Sequence, residues 1–86
     1  MSYRILITAQ AEKQLKKLPK IELAKIDKHI LELQYTPRPS GCKKLQGMDD
    51  VYRIRSGDYR VVYRIEDMQL IVEIIRVANR KEAYRK

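Results

Sequence analysis

Histidine and cysteine occur once each in this chain, as His29 and Cys42, and tryptophan and phenylalanine do not occur. One imidazole and one thiol, without a clustered set of carboxylates, cannot assemble the usual zinc sites, so neither a metal nor a cofactor is expected. A lone cysteine also excludes an internal disulfide framework and fits a reducing, cytoplasmic setting. Glycine is scarce, and Gly41, Gly47 and Gly57 read as turn residues without phosphate-loop spacing. No apolar run approaches the ~18 residues that cross a bilayer. The start, Met1-Ser2-Tyr3-Arg4-Ile5-Leu6-Ile7, has no basic segment followed by a long apolar core, so no signal peptide is expected.

What the chain has instead is positive charge. Nineteen Lys and Arg oppose 11 Asp and Glu, for a net charge of +8 and a pI near 9.8. Spread over 86 residues, that field favours a polyanionic partner: nucleic acid first, an acidic protein second, an anionic membrane last. The length allows a single domain, residues 1–86, that buries only about two-thirds of its unfolded surface. Hydrophobic residues at 44% suffice for a core.

The spacing of those residues predicts seven elements. Residues 3–7 read as a strand, and Thr8 as the N-cap of a helix running to about Leu18, with Ala11, Leu15 and Leu18 on one face. Lys13, Lys16 and Lys17 fall on its solvated side. Pro19 ends that helix. A second helix over about 21–35 carries Leu23, Ile26, Ile30 and Leu33 as an apolar stripe, widened by Ile21 and Ala24, and the short connection predicts an αα-hairpin. Pro37, Pro39 and Gly41 open a loop reaching about Asp50. Two β-rich runs then flank Ser56-Gly57-Asp58, a hairpin with Gly57-Asp58 in a type II′ turn. Leu70 to Val77 alternates with apolar residues on both faces, as an interior strand does. Asn79 and Glu82 have capping-box spacing, so one or two helical turns are expected at the C-terminus. The expected fold is α+β: a small antiparallel sheet with an N-terminal helical hairpin on one face and a short C-terminal helix, in the order β-α-α-β-β-β-α.

The hairpin holds the chemistry. Its turn sets Arg55 against Arg60, Ile54 against Val61, Arg53 against Val62 and Tyr52 against Tyr63. Side chains alternate faces, so Tyr52, Ile54, Val61 and Tyr63 share one face and Arg53, Arg55, Arg60 and Val62 the other, with Arg64 further along. Like charges opposite each other on a sheet cost roughly 0.2–1 kcal/mol. Such a patch is either a well-solvated surface or an anion site, and composition does not separate the two. As an anion site, Arg53, Arg55 and Arg60 with Arg80 and Tyr84 from the tail would suit a phosphodiester: guanidinium groups bind phosphate oxygens bidentately and stabilise charge on a pentacoordinate phosphorus. RNA suits it best, because its 2′-hydroxyl is a built-in nucleophile. Proton transfer is the weak point, since arginine is a poor acid. His29, in mid-helix, reads as an ordinary surface residue, and Cys42 as an incidental loop thiol.

Four blocks then carry a resemblance that spans nearly the whole chain: Ala11-Glu12-Lys13-Gln14-Leu15-Lys16-Lys17-Leu18-Pro19, Lys43-Lys44-Leu45-Gln46-Gly47, Tyr52 through Tyr63, and Arg76-Val77-Ala78-Asn79-Arg80-Lys81-Glu82-Ala83-Tyr84. The sequence resembles the RelE/ParE superfamily of type II toxins, in which RelE-like members cut messenger RNA in the ribosomal A site and ParE-like members poison DNA gyrase. The resemblance implies a metal-independent endoribonuclease with Tyr84 as general base, Arg60 stabilising the phosphorane, and Arg80 as acid or second stabiliser. Arg53 and Arg55, helped by Lys43 and Lys44, would hold the RNA backbone. Many relatives read His-Arg where this chain has Asn79-Arg80; asparagine cannot move a proton, which makes positioning by the ribosome more necessary. The implied partners are an acidic antitoxin, the ribosome with its mRNA, and operator DNA only through the antitoxin complex. A gyrase poison and a non-catalytic binding module on the same scaffold are the alternatives.

Overall fold

The computed structural model describes residues 2–79. In chain order the elements are β1 (Arg4–Ile7), α1 (Ala9–Lys16), α2 (Lys20–Glu32), β2 (Lys43–Lys44), β3 (Val51–Ser56), β4 (Tyr59–Glu66) and β5 (Ile71–Asn79). The helical turns expected after Asn79, and with them Arg80 and Tyr84, lie outside the described residues.

The helix boundaries follow from local chemistry. Thr8 is extended (φ −67°, ψ 159°) and its hydroxyl accepts a hydrogen bond from the Ala11 amide at 3.1 Å, as an N-cap does. Pro19, also extended (φ −58°, ψ 149°), precedes α2, where its missing N–H costs nothing. Each helix buries a narrow face. Ala11 and Leu15 of α1 and Ile26 and Ile30 of α2, with Leu33 just beyond, meet Ile54, Val61, Tyr63, Ile65, Val72, Ile74 and Val77 of the sheet. Burying one such aliphatic side chain contributes about 1.5–3 kcal/mol. The stripe on α2 is narrower than its composition suggests: Ile21 is 70% exposed, because the helix presses only its Leu23/Ile26/Ile30/Leu33 edge onto the sheet.

The sheet has the order β1-β5-β4-β3-β2. From β2 to β5 it is an antiparallel meander, with Lys43–Lys44 forming a short strand inside the stretch expected to be loop. The antiparallel expectation fails at one edge, where β1 runs parallel to β5, with Arg4 opposite Ile71 and Ile7 opposite Ile74. The apolar β5 needs neighbours on both sides. With β4 on one side, β1 fills the other, reached across the long connection that parallel pairing requires.

One irregularity in β5 decides where its arginine points. Tyr63 pairs with Ile74 but Val62 pairs with Arg76, so Ile75 is an extra, bulged residue. Strict alternation from Ile74 would turn Arg76 toward the helices. The bulge instead sends Val77 into the core, 3% exposed, and Arg76 to the opposite face. Helix α1 and its cap secure the distortion. The Thr8 hydroxyl donates to the Ile75 carbonyl at 3.0 Å, and the Gln14 side-chain oxygen accepts from the Val77 amide at 2.6 Å, where β1 has already ended.

Candidate active site

The β3–β4 hairpin has the register its turn predicts: Ser56 opposite Tyr59, Arg55 opposite Arg60, Ile54 opposite Val61, Arg53 opposite Val62 and Tyr52 opposite Tyr63. Gly57 has φ +60° while Asp58 keeps a negative φ, the type II′ pattern. The face toward the helices is sealed, with Ile54 at 7% and Val61 and Tyr63 at 0% exposure. The arginines are thereby forced to the other side.

There Lys43, Arg53, Arg55 and Arg60 line a cavity of about 400 Å³, with Gly41 at its border. A smaller hollow of about 160 Å³ adjoins it through Arg53 and Arg60 and adds Arg76, Val62, Leu45 and Ala78. Lys43 enters the group because β2 pairs it with Arg53. Lys44 pairs with Tyr52, faces the other way and lines a separate hollow with residues 45–49, so the two neighbouring lysines part company. Arg64 shares the arginine face, yet its guanidinium lies 3.1 Å from Glu73 and 3.7 Å from Glu66, which neutralises that end of the sheet. No ion pair engages Lys43, Arg53, Arg55 or Arg76 among the described residues. The result is concentrated positive charge over one hollow, suited to a phosphate group. Arg76 was not among the expected site residues, since only the bulge reveals its direction.

The 36–42 segment holds another arginine in a very different setting. Arg38 donates to Asp67 through both terminal nitrogens, at 2.8 and 3.3 Å, and through Nε to the Tyr52 hydroxyl at 3.0 Å, with its guanidinium carbon 5.2 Å from the Tyr52 ring centre. Tyr3 donates to the same carboxylate at 2.7 Å. Arg38 first, then Tyr3, holds the Asp67 carboxyl below its ordinary range. Tyr52 stacks on Tyr63 at 6.1 Å, and the Tyr63 hydroxyl donates to the Pro37 carbonyl at 2.7 Å. Burial, with Cys42 nearby, pushes the Tyr63 phenol well above its usual value. This cluster ties the 36–42 segment to the sheet, and so fixes the approach of Lys43.

His29 is not the surface residue its position in the helix suggested. It is half-buried, and its Nδ1 shares a 2.8 Å hydrogen bond with the hydroxyl of Ser56, which is 1% exposed. The pair fastens α2 to the end of β3 on the helix side. A serine at the hairpin end facing the core was the available signal, because a buried hydroxyl needs a partner. Asn79 closes β5 opposite Tyr59. No three His, Cys, Asp or Glu side chains converge as a metal site requires among the described residues. No described helix is long and apolar enough to cross a membrane.

Comparisons with known proteins identify the family. Residues 5–84 match the family described as ParE toxin of type II toxin-antitoxin system, parDE. The toxin RelE of Mycobacterium tuberculosis is 38% identical over 84 residues, covering 96% of this chain and 87% of that protein. The mRNA interferase toxin RelE of Escherichia coli is 33% identical over 85 residues, covering 96% and 88%. Among solved structures, the archaeal RelE–RelB complex from Pyrococcus horikoshii superposes with a TM-score of 0.83 at 34% identity, covering 93% of this chain and 97% of that one. A two-helix, five-strand fold shared at this level over almost the full length of both chains makes the protein a member of the RelE/ParE superfamily of type II toxins.

Proposed function

We propose that this protein is the toxin of a type II toxin–antitoxin pair and acts as an endoribonuclease on mRNA in the ribosomal A site. The observation that carries the reading is the hollow lined by Lys43, Arg53, Arg55 and Arg60, on a chain whose full-length relatives include proteins named mRNA interferase. In the proposed reaction the 2′-oxygen attacks the adjacent phosphorus, the P–O5′ bond breaks, the 2′-proton leaves to a base and the 5′-oxygen gains one. No metal is needed to generate the nucleophile. Arg53, Arg55 and Lys43 hold the RNA backbone and Arg60 stabilises charge on the phosphorane, which preorganised donors do most effectively when fixed in advance. The Arg38 cluster and the His29–Ser56 pair supply that fixation from outside the site. Lys44, facing away, serves the backbone only beyond the groove. The roles of general base for Tyr84 and of acid or second stabiliser for Arg80 rest on the family resemblance alone. With Asn79 before Arg80, the ribosome carries much of the positioning. The partner that restrains the toxin is an acidic antitoxin, in keeping with relatives solved as RelE–RelB complexes and with the net charge of +8.

Primer extension on translated mRNA tests this reading. New 5′ ends are expected with ribosomes and not without, leaving 2′,3′-cyclic phosphate and 5′-hydroxyl termini, and a 2′-deoxy nucleotide at the cut should block the reaction. Rescue of a phosphorothioate-substituted site by Mn²⁺ would overturn the metal-independent step. A second reading follows from the family's description as ParE toxin: a gyrase poison on the same scaffold. DNA breaks on induction, with intact mRNA, would establish it instead.

A further inference from the structure

Arg76 reaches the cationic face through a distortion of β5. The bulge at Ile75 turns it there, and two side chains from the cap and body of α1 hold the bulge: the Thr8 hydroxyl donates to the Ile75 carbonyl at 3.0 Å, and Gln14 accepts from the Val77 amide at 2.6 Å. Strand β1 stops at Ile7, opposite Ile74, so beyond that point Gln14 does for β5 what a neighbouring strand would. Register then sets two rows of side chains across the sheet. Arg53, Val62 and Arg76 make one row, and Arg55, Arg60 and Ala78 the other. The rows lie about 7 Å apart along the strands, and Arg53 and Arg76 about 10 Å apart across them. Val62 between those two arginines is short, as is Ala78 beside Arg60, and over them lies the hollow of about 160 Å³.

We propose that this hollow is a second phosphate site, in which Arg76 and Arg53 bind the RNA phosphate next to the one being cut, and that Gln14 is the positioning residue that aims Arg76 at it. The proposal rests on the endoribonuclease reading above. Size selects the ligand: the hollow falls well below the roughly 300 Å³ at which pockets begin to enclose a small molecule, so it takes a single group and not a base. Charge selects the group. Three of its six lining residues are arginines and none is acidic, and no ion pair engages Arg53 or Arg76 among the described residues. Glu73, the carboxylate of β5, pairs with Arg64 at 3.1 Å instead. Leu45, Val62 and Ala78 complete the hollow with apolar surface, against which the carbon skeleton of a ribose can rest. Arg53 and Arg60 also line the larger hollow with Lys43 and Arg55, so a strand whose scissile phosphate lies at Arg60 passes directly into the smaller one. A guanidinium binds phosphate oxygens through two parallel hydrogen bonds, which requires its fork to be held in the right plane. Arg76 is exposed near the end of its strand, so the bulge that sets its backbone is what orients it.

The test is single-turnover cleavage on ribosomes programmed with synthetic messages, each carrying one uncharged methylphosphonate at a linkage beside the cut. For the wild type, one such linkage should raise the half-saturating toxin concentration about tenfold, the order expected for one lost charge-assisted hydrogen bond. Arg76→Gln should bring a similar loss on the unmodified message and no further loss on that one substituted message. Gln14→Leu should copy Arg76→Gln in this respect. Gln14→Glu, which keeps an acceptor for the Val77 amide, should behave as the wild type. A purely structural role for Gln14 would lower stability without erasing the coupling to one linkage, and that result would overturn its positioning role. Arg76 is exposed and without an ion pair among the described residues, so its substitution leaves the fold intact and decides the phosphate site even if Gln14→Leu does not fold. A loss from Arg76→Gln that is equal on every message would put its partner outside the message, in ribosomal RNA, and overturn the proposal while the endoribonuclease reading stands. No loss at all would do the same. If the wild type gives no ribosome-dependent cleavage, the parent reading falls and the proposal with it.

Discussion

Two sets of arginines in one small fold meet opposite fates. Arg38 and Arg64 each have a carboxylate within 3.1 Å, and Arg38 has a phenol and an aromatic face as well. Arg53, Arg55 and Arg76 have no carboxylate partner among the described residues, and Arg55 faces Arg60 directly across the hairpin. The first set joins parts of the fold; the second leaves like charge opposed across the hairpin, a cost that a bound anion would offset. Identical side chains thus divide into scaffold and candidate site according to whether acid was placed beside them. On the sheet face the division runs from Arg64 and Glu73 at one end to the Arg55 corner at the other.

The largest effect is expected at Arg60, which lines both cationic hollows. Arg60→Ala should slow single-turnover cleavage on programmed ribosomes by about 10²–10³, the cost of removing one preorganised donor from a developing oxyanion. An effect below tenfold would move Arg60 out of the site set. On the scaffold side, Tyr63→Phe should lower stability by about 1–2 kcal/mol in urea denaturation, since it leaves the Pro37 carbonyl without its 2.7 Å donor while preserving the ring. A smaller effect of opposite sign is expected at Arg55. Arg55→Thr removes like-charge repulsion against Arg60 and adds a β-branched residue to a strand, so thermal unfolding should show a gain of about 0.2–1 kcal/mol alongside weaker cleavage. A loss of stability there would mean that Arg55 is held by the fold and not merely tolerated by it.

Much of this was legible before the structure. Local rules govern the hairpin: Gly57 admits the positive φ of its turn, the turn fixes the register, and the register sends Arg53, Arg55 and Arg60 to one face. Thr8 caps its helix for equally local reasons. What escaped depends on partners distant in sequence. Arg76 joins the cationic face only because Ile75 bulges, and that bulge is held by Thr8 and Gln14, more than 60 residues earlier. Lys43 and Lys44 separate because a two-residue strand forms against β3, too short to leave a periodic signal. His29 needed Ser56, 27 residues away, to become a fastening point. The parallel β1–β5 edge likewise follows from how β5 is shielded, which alternation in one strand does not specify.

The smallest expected effect tests the scaffold set by pH. Asp67 is half exposed, so solvent screens its pair with Arg38 and the contribution is small. Its sign is nevertheless fixed. Arg38 and Tyr3 both bond the ionised carboxylate, so its folded pKa lies below the unfolded value near about 4. A depressed carboxyl contributes fully above the unfolded pKa and loses that contribution as pH falls through the folded one. Tyr3 mirrors it: the hydrogen bond to Asp67 raises its phenol, so that contribution is intact below about pH 10 and fades as pH climbs through the raised value. The difference in unfolding midpoint between the wild type and Asp67→Asn should therefore be constant across neutral pH and shrink below about pH 4. Replacing Arg55 by Gln should leave the acid limb of the profile unchanged, because no described carboxylate pairs with it. An equal acid response in both variants would mean that the cationic face has an acidic partner after all, and the separation of scaffold arginines from site arginines would not hold.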